Sequence, residues 1–253
     1  MKKCTLYVVT HKNINKIPER SIIGVGDNCN LITADFFDNQ GDNISEKNKY
    51  FCELTAIYWI WKHDHSDYVG IEHYRRQFLY GNNLISKDEI LSLLSRYDMI
   101  VSKNMNLSSS VYSAYANYNS EEELKIVRDI ISRKYPEYLP AFDKMKYTNK
   151  FCVCNMMICN KSIFDDYCAW LFDILFDLEE NIDISERTPT QQRMYGFLSE
   201  RLLNVYIWKN KKLKIKHLEI CEPKLERQTQ KFSLVMECKF WVKFIINYKK
   251  QYR

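Results

Sequence analysis

The stretch DYVGIEHYRRQF, Asp67–Phe78, sets one imidazole and two guanidinium groups directly after the apolar run Tyr68–Ile71, with no turn residue between. Histidine with arginine suits an anionic ligand, and a guanidinium matches phosphate oxygens two at a time. In a continuing strand His73 and Arg75 share one face and Arg76 takes the other. His73 and Arg75 then meet one diphosphate, or the cluster is a set of surface ion-pair partners. A second polar group lies on the helical stretch 190–208, where Arg193, Gly196, Glu200 and Asn204 fall on one stripe of an otherwise largely apolar surface. Glycine inside a helix costs about 1 kcal/mol against alanine, which makes sense where something approaches the backbone closely. Glu200 is then a catalytic or hydroxyl-accepting carboxylate, or half of a structural pair with Arg193. A third candidate is Asp42 in the turn Gly41-Asp42-Asn43, since an acid beside a helix N-terminus suits a ribose or sugar hydroxyl.

These groups need a frame, and strand-like and helix-like segments alternate along the chain. TLYVV (5–9), Tyr68–Ile71, YDMIVS (97–102) and FCVCNMMIC (151–159) read as strands. Leu54, Ile57, Tyr58 and Trp61 line one helix face, with Ser45 or Asn48 as its cap. Ser86 with Glu89 and Ser120 with Glu123 have capping-box spacing. Thr188, Pro189 and Gln191 open a helix running to about Lys209, and 162–180 is another long helix. LKIKHLEI alternates as an edge strand. The pattern predicts one α/β domain with a mostly parallel sheet flanked by helices. Ligands of open α/β sheets lie beyond the carboxyl ends of the strands. That rule gathers Thr10, His11 and Lys12 with Glu72–Arg76 and Asn155. The polar segment 104–119, NMNLSSSVYSAYANYN, is either a mobile lid with Tyr112 and Tyr115 stacking on sugar, or an ordinary surface loop.

Composition excludes several classes. Apolar residues at 46% with 27% charge fit a folded protein. No apolar run approaches the ~20 residues of a membrane span, and MKKCTLYVVT is too short for a signal peptide. Nine cysteines, an odd number without zinc spacing, read as reduced thiols, so the chain is expected in the cytoplasm. The net charge of +5 resides in residues 231–253, which hold six Lys/Arg and one Glu. Lysines interleaved with aromatics there fit a segment on an anionic membrane surface, or a helix packed on the domain. Nucleic acid would want a basic stripe on the folded body, and none is evident.

GDNISEKN, DYVGIEHYRR and GFLSERLLNVYI resemble, in order and spacing, the bacterial DUF4422 family, mostly labelled capsular or exopolysaccharide glycosyltransferases. The resemblance runs from about residue 3 to 220. It is carried by Gly41, Asp42, Asn43, Ser45, Lys47 and Asn48, by Glu53, Leu54 and Trp59, and by His73–Arg76, Asn155 and Gly196–Arg201. Glu72 departs from the family pattern, which argues against it as the catalytic acid. The resemblance implies a GT-A-like Rossmann-type fold over about 1–220, with a donor half to about 105 and an acceptor half from about 106. It further implies a UDP-sugar donor, of galactose type in pyranose or furanose form. The segment 221–253 is a basic aromatic tail, and the acceptor implied is a lipid-linked or growing glycan at the inner face of the membrane.

Many GT-A enzymes hold the departing diphosphate with a metal on a D-x-D motif, and this sequence has no D-x-D. His73 and Arg75, with Arg76, are therefore expected to replace the metal as fixed cations, with no cofactor. The expected donor ligands are Thr10, His11, Lys12, Asp42, Asn43, Arg75, Arg76, Asn155, Arg193 and Arg201. Glu200 is the first candidate for an acceptor base and Asp42 the second. A noncatalytic nucleotide- or sugar-binding module is the competing class.

Overall fold

Apolar runs bounded by polar, turn-forming residues make strands that must bury both faces, and amphipathic helices supply the cover. The computed structural model describes residues 2–26 and 31–221. Its strands are β1 (Cys4–Thr10), β2 (Ser21–Gly24), β3 (Phe36–Phe37), β4 (Tyr68–His73), β5 (Gln77–Tyr80), β6 (Asn83–Leu84), β7 (Met99–Ser102), β8 (Met105–Asn106), β9 (Lys150–Phe151), β10 (Met157–Asn160), β11 (Ile215–Leu218) and β12 (Ile220–Cys221). Its α-helices are α1 (Asn48–Phe51), α2 (Leu54–His63), α3 (Lys87–Leu94), α4 (Val111–Tyr118), α5 (Glu121–Lys134), α6 (Leu139–Asp143), α7 (Lys161–Glu180) and α8 (Met194–Lys209).

Among the described residues seven strands form the main sheet, in the order β11-β7-β10-β4-β1-β2-β3. Every neighbouring pair is parallel except those of β10, which runs antiparallel to β4 and to β7. Alternate residues enter two cores. Tyr7, Val9, Val69, Ile71, Met99, Val101, Met157 and Cys159 face the larger one, with α2, α5, α7 and α8. Leu6, Tyr68, Ile100 and Ile158 face a smaller core under α3. The strand period of two assigns each side chain, and burial on both faces explains why these runs look uniformly apolar.

Several local expectations hold. The Ser86–Glu89 capping box forms, with Glu89 N–H donating to Ser86 Oγ at 3.3 Å and Ser86 N–H to Glu89 Oε2 at 2.8 Å. Ser120 caps α5 through the Glu122 N–H at 3.1 Å, but Glu123 turns inward to Arg187 and the Tyr115 hydroxyl instead of closing a box. The segment 104–119 is not an irregular surface loop. It forms β8 and α4, because Ser110 caps the helix through the Ser113 N–H at 3.1 Å and Val111, Ala114 and Tyr115 are buried. The expected strand 151–159 breaks at Cys154 (φ 77°) and Asn155 (φ 47°). The helix expected to run on from a cap at Ser45 or Asn48 through Trp61 is broken into α1 and α2 at Cys52 (φ 54°). No helix among the described residues is long and apolar enough to cross a membrane. The proposed basic tail lies, beyond Cys221, outside the described residues.

Candidate active site

β4 ends at His73 because the chain turns there. The His73 N–H donates to the Arg76 carbonyl at 3.0 Å, and the Arg76 N–H donates back at 2.9 Å. Tyr74 and Arg75 form the tip, so the shared strand face expected for His73 and Arg75 is replaced by a two-residue turn. The Tyr74 N–H donates to the Val9 carbonyl at 3.0 Å, which pins the tip beside the exit of β1. Around the Tyr74 ring stand the Lys12 ammonium at 4.8 Å, the Arg75 guanidinium at 5.2 Å and the His11 ring, edge-on, at 5.0 Å. The strand-exit rule thus brings His11, Lys12 and Arg75 together. Burial first, then the charges of Lys12, Arg75 and Arg193, hold His11 below the usual histidine range. The same influence places Arg193, from the entry to α8, within electrostatic reach of this cluster.

Two other members of the expected set have different jobs. Thr10 is buried, and its hydroxyl donates to the Lys12 carbonyl at 2.6 Å, closing its own turn. His73 has Nε2 2.5 Å from the Cys154 carbonyl, so that nitrogen carries the hydrogen and donates. Burial depresses its pKa, with Glu53 opposing the shift. A neutral imidazole engaged with a carbonyl is no fixed cation, which corrects its expected role at the leaving group. His73 ties the end of β4 to the turn 152–156.

That turn belongs to the site because β10 is antiparallel, so its entry lies at the carboxyl end of β4. The polar stripe of α8 grips it and the corner before α2. Asn204 Oδ1 accepts from the Cys152 N–H at 2.9 Å, and Glu200 Oε1 accepts from the Cys154 N–H at 3.0 Å. Asn155 Nδ2 lies 3.1 Å from the Gly196 carbonyl, 2.8 Å from Ser199 Oγ and 2.7 Å from Glu53 Oε1. Its amide nitrogen is therefore committed to the protein, while its buried Oδ1 has no hydrogen-bond partner among the described residues. Arg193 Nε donates to Cys52 Sγ at 3.1 Å, so the expected Arg193–Glu200 pair does not form. Burial, reinforced by the charge of Glu53, raises the Glu200 pKa, and Arg201 and Arg76 oppose it.

Arg201 donates to Glu200 Oε2 and to the Phe197 carbonyl, both at 2.9 Å, with its guanidinium over the Tyr115 and Phe151 rings. It braces Glu200 instead of meeting the donor. Tyr115 is fully buried with its hydroxyl on Glu123, so it does not stack on an acceptor. The Tyr112 hydroxyl donates to Glu121 at 3.1 Å. At the end of α4, Tyr118 lines an open cleft with Thr188, Thr190 and Gln191, near Arg193.

Asp42 and Asn43 also lie elsewhere. Asp42 Oδ1 accepts from the Tyr58 hydroxyl at 3.0 Å, and its carbonyl is 2.9 Å from His63 Nε2. Tyr58 lies midway along α2 and His63 at its end, where the helix leads away from the site toward the start of β4. Asn43 Oδ1 accepts from the Ser45 N–H at 3.1 Å, a local turn.

Sequence reasoning left two carboxylates out of the site. Glu53 immediately precedes α2, an acid set directly before a largely apolar first turn, which is a readable signal. Asp38 follows β3 at the same end of the sheet, fully buried, and among the described residues neither of its oxygens has a hydrogen-bond partner. Burial pushes its pKa up to about 6, with the nearby Thr55 hydroxyl opposing.

The donor set does not fit the metal of a D-x-D site. Glu72, the acid at the exit of β4, is buried against Arg20 at 3.0 Å and accepts from the Phe78 N–H at 2.8 Å. Among the described residues no three His, Cys, Asp or Glu side chains converge in a way that would hold a metal ion.

A mostly parallel sheet with one reversed strand, cations at the strand exits and carboxylates behind them define a GT-A-like α/β domain. The fold matches an apo structure of WbbM, described as a bifunctional glycosyltransferase, with a TM-score of 0.80 and 27% identity over 91% of this chain. The match covers 48% of that protein, so this chain spans about half its length. The family profile of DUF4422, a domain of unknown function, matches residues 5–211, and the chain belongs to that family. No curated protein matches it.

Proposed function

We propose that the chain is a glycosyltransferase that moves a hexosyl group from a UDP-sugar, of galactose type, to a lipid-linked or growing surface glycan. One observation carries this reading: Lys12, Arg75 and Arg193 surround the exits of β1 and β4, while Glu53 and Glu200 stand on the α8 side of the same end. Breaking the bond from the anomeric carbon to the diphosphate puts negative charge on the leaving group and positive charge on the sugar. Fixed cations and carboxylates gathered at one end of the sheet can meet both charges without reorganising. Lys12 and Arg75 hold the diphosphate, and a carboxylate receives the acceptor proton. The cleft at Tyr118, Thr188 and Gln191 offers an aromatic face and hydroxyls to the acceptor. The identity of the donor rests on the family resemblance, and the membrane-facing acceptor on the composition of the tail.

We further propose that transfer needs no divalent metal, the arginines serving in its place. The test is a melting-temperature screen with UDP and UDP-hexoses, followed by UDP release in excess EDTA. A nucleotide at 100 times its Kd adds about 2.7 kcal/mol, worth about 5–11 °C at this size. Release that persists in EDTA is expected. Release that collapses there and returns with Mn²⁺ would overturn metal independence, and UDP binding without any release would favour the noncatalytic module.

A further inference from the structure

We propose that Glu53 is the catalytic base of this site, its Oε2 taking the proton of the acceptor hydroxyl while Oε1 stays anchored to Asn155. The inference rests on the glycosyl-transfer reading above and assigns the carboxylate which that reading leaves open.

Three carboxylates stand at this end of the sheet; Asp38 is fully closed off from solvent, and their partners separate Glu200 from Glu53. Glu200 has both oxygens engaged, Oε1 by the Cys154 N–H at 3.0 Å and Oε2 by Arg201 Nη1 at 2.9 Å. It braces the turn 152–156 from below. Glu53 has Oε1 engaged at 2.7 Å, and among the described residues no hydrogen-bond donor reaches Oε2. Its carboxylate is half-buried. Asn155, fully buried and held also by Gly196 and Ser199, fixes the direction of the group. The open oxygen faces the space left by the missing side chain of Gly196, where a Cβ would lie 3.8 Å from it. Arg193, His73 and Glu200 all feel the charge of Glu53, which places it between the cation cluster and α8. A general base needs one oxygen held and the other open to the proton, and that is the condition of Glu53.

The step balances without a co-reactant. The acceptor oxygen forms a bond to the anomeric carbon as that carbon's bond to the diphosphate oxygen breaks. The electron pair leaves on the diphosphate, beside Lys12 and Arg75. The hydroxyl proton passes to Glu53 Oε2 and then to water, and the anomeric centre inverts.

The test uses the full chain, with UDP release measured from UDP-galactose, UDP-galactofuranose and UDP-glucose and water as the acceptor. Glu53→Gln should bind UDP within about threefold of the parent, by calorimetry, yet lose turnover by about 10²-fold or more and lose the acid limb of the pH–rate profile. Glu200→Gln should keep that limb. Formate should restore part of the turnover of Glu53→Ala, a readout that a purely structural role would not move. Three results would overturn the assignment: near-parental turnover in Glu53→Gln, an acid limb lost in Glu200→Gln instead, or no effect of formate on a Glu53→Ala protein that still binds UDP. A parent protein that binds UDP but releases it from none of the three sugars brings down the glycosyl-transfer reading itself. That outcome is distinct from an active parent with an indifferent Glu53→Gln.

Discussion

Arg75 and Arg76 were visible in the sequence as chemistry, but their geometry was not. His73-Tyr74-Arg75-Arg76 contains no Gly, Pro, Asn or Asp, so nothing in its residue types marks the turn that the His73–Arg76 hydrogen bonds impose. The same holds for His73, whose pKa is lowered by burial while its hydrogen bond to the carbonyl of Cys154, a residue distant in sequence, opposes the shift. Asp38 escapes notice for a related reason, since the Asp in FFDNQ looks like loop chemistry although it is fully buried. It gives a prediction at this scale. With a folded pKa raised from 3.8 to about 6, the native state holds a proton that the unfolded chain releases between those values. Stability therefore falls as pH rises through that window and stays lower above it. At about 1.4 kcal/mol per unit, Asp38→Asn should be more stable than the parent by up to about 3 kcal/mol at pH 7.5, with the difference vanishing near pH 4. Urea unfolding at the two pH values checks this, and a difference independent of pH would contradict it.

The helices were more legible than the breaks between them. The α8 stripe was readable because a period near 3.6 survives in the residue types, and each of Arg193, Gly196, Glu200 and Asn204 touches the corner at Cys52–Glu53 or the turn at Cys152–Asn155. The breaks at Cys52, Cys154 and Asn155 place non-glycine residues at positive φ, a conformation that tertiary contacts hold and local propensity does not announce. The functional meaning of Gly196 can be separated from its structural one. A Cβ there would meet Cys52 Cβ at 3.5 Å and Glu53 Oε2 at 3.8 Å, both ordinary contacts. Gly196→Ala should thus melt no lower than the parent, gaining up to about 1 kcal/mol of helix propensity. Its UDP release should nonetheless drop by about tenfold or more, because the methyl narrows the approach to Glu53. Denaturation and turnover measured on one preparation test both halves, and a lower melting temperature would show that the glycine serves packing instead.

At the scale of the whole molecule, strand–helix alternation foretold the sheet and the rule of strand exits foretold where His11, Lys12 and Arg75 meet. It did not foretell that β10 is reversed, because strands buried on both faces read alike in either direction. That reversal is what brings Asn155 to the site. The basic tail remains a proposal about partners. Deleting residues 231–253 removes six cations, each worth about 1 kcal/mol near an anionic bilayer, so binding to phosphatidylglycerol vesicles should fall by at least about tenfold with melting unchanged. Equal vesicle binding would rule out that role.

Every part of the account depends on the cations at the mouth of the sheet receiving the anionic half of the donor. A crystal structure with UDP bound tests this most directly. It should show the diphosphate oxygens within about 3 Å of Lys12 or Arg75, with Arg193 facing them. A diphosphate seated away from the turn at Tyr74 would contradict it.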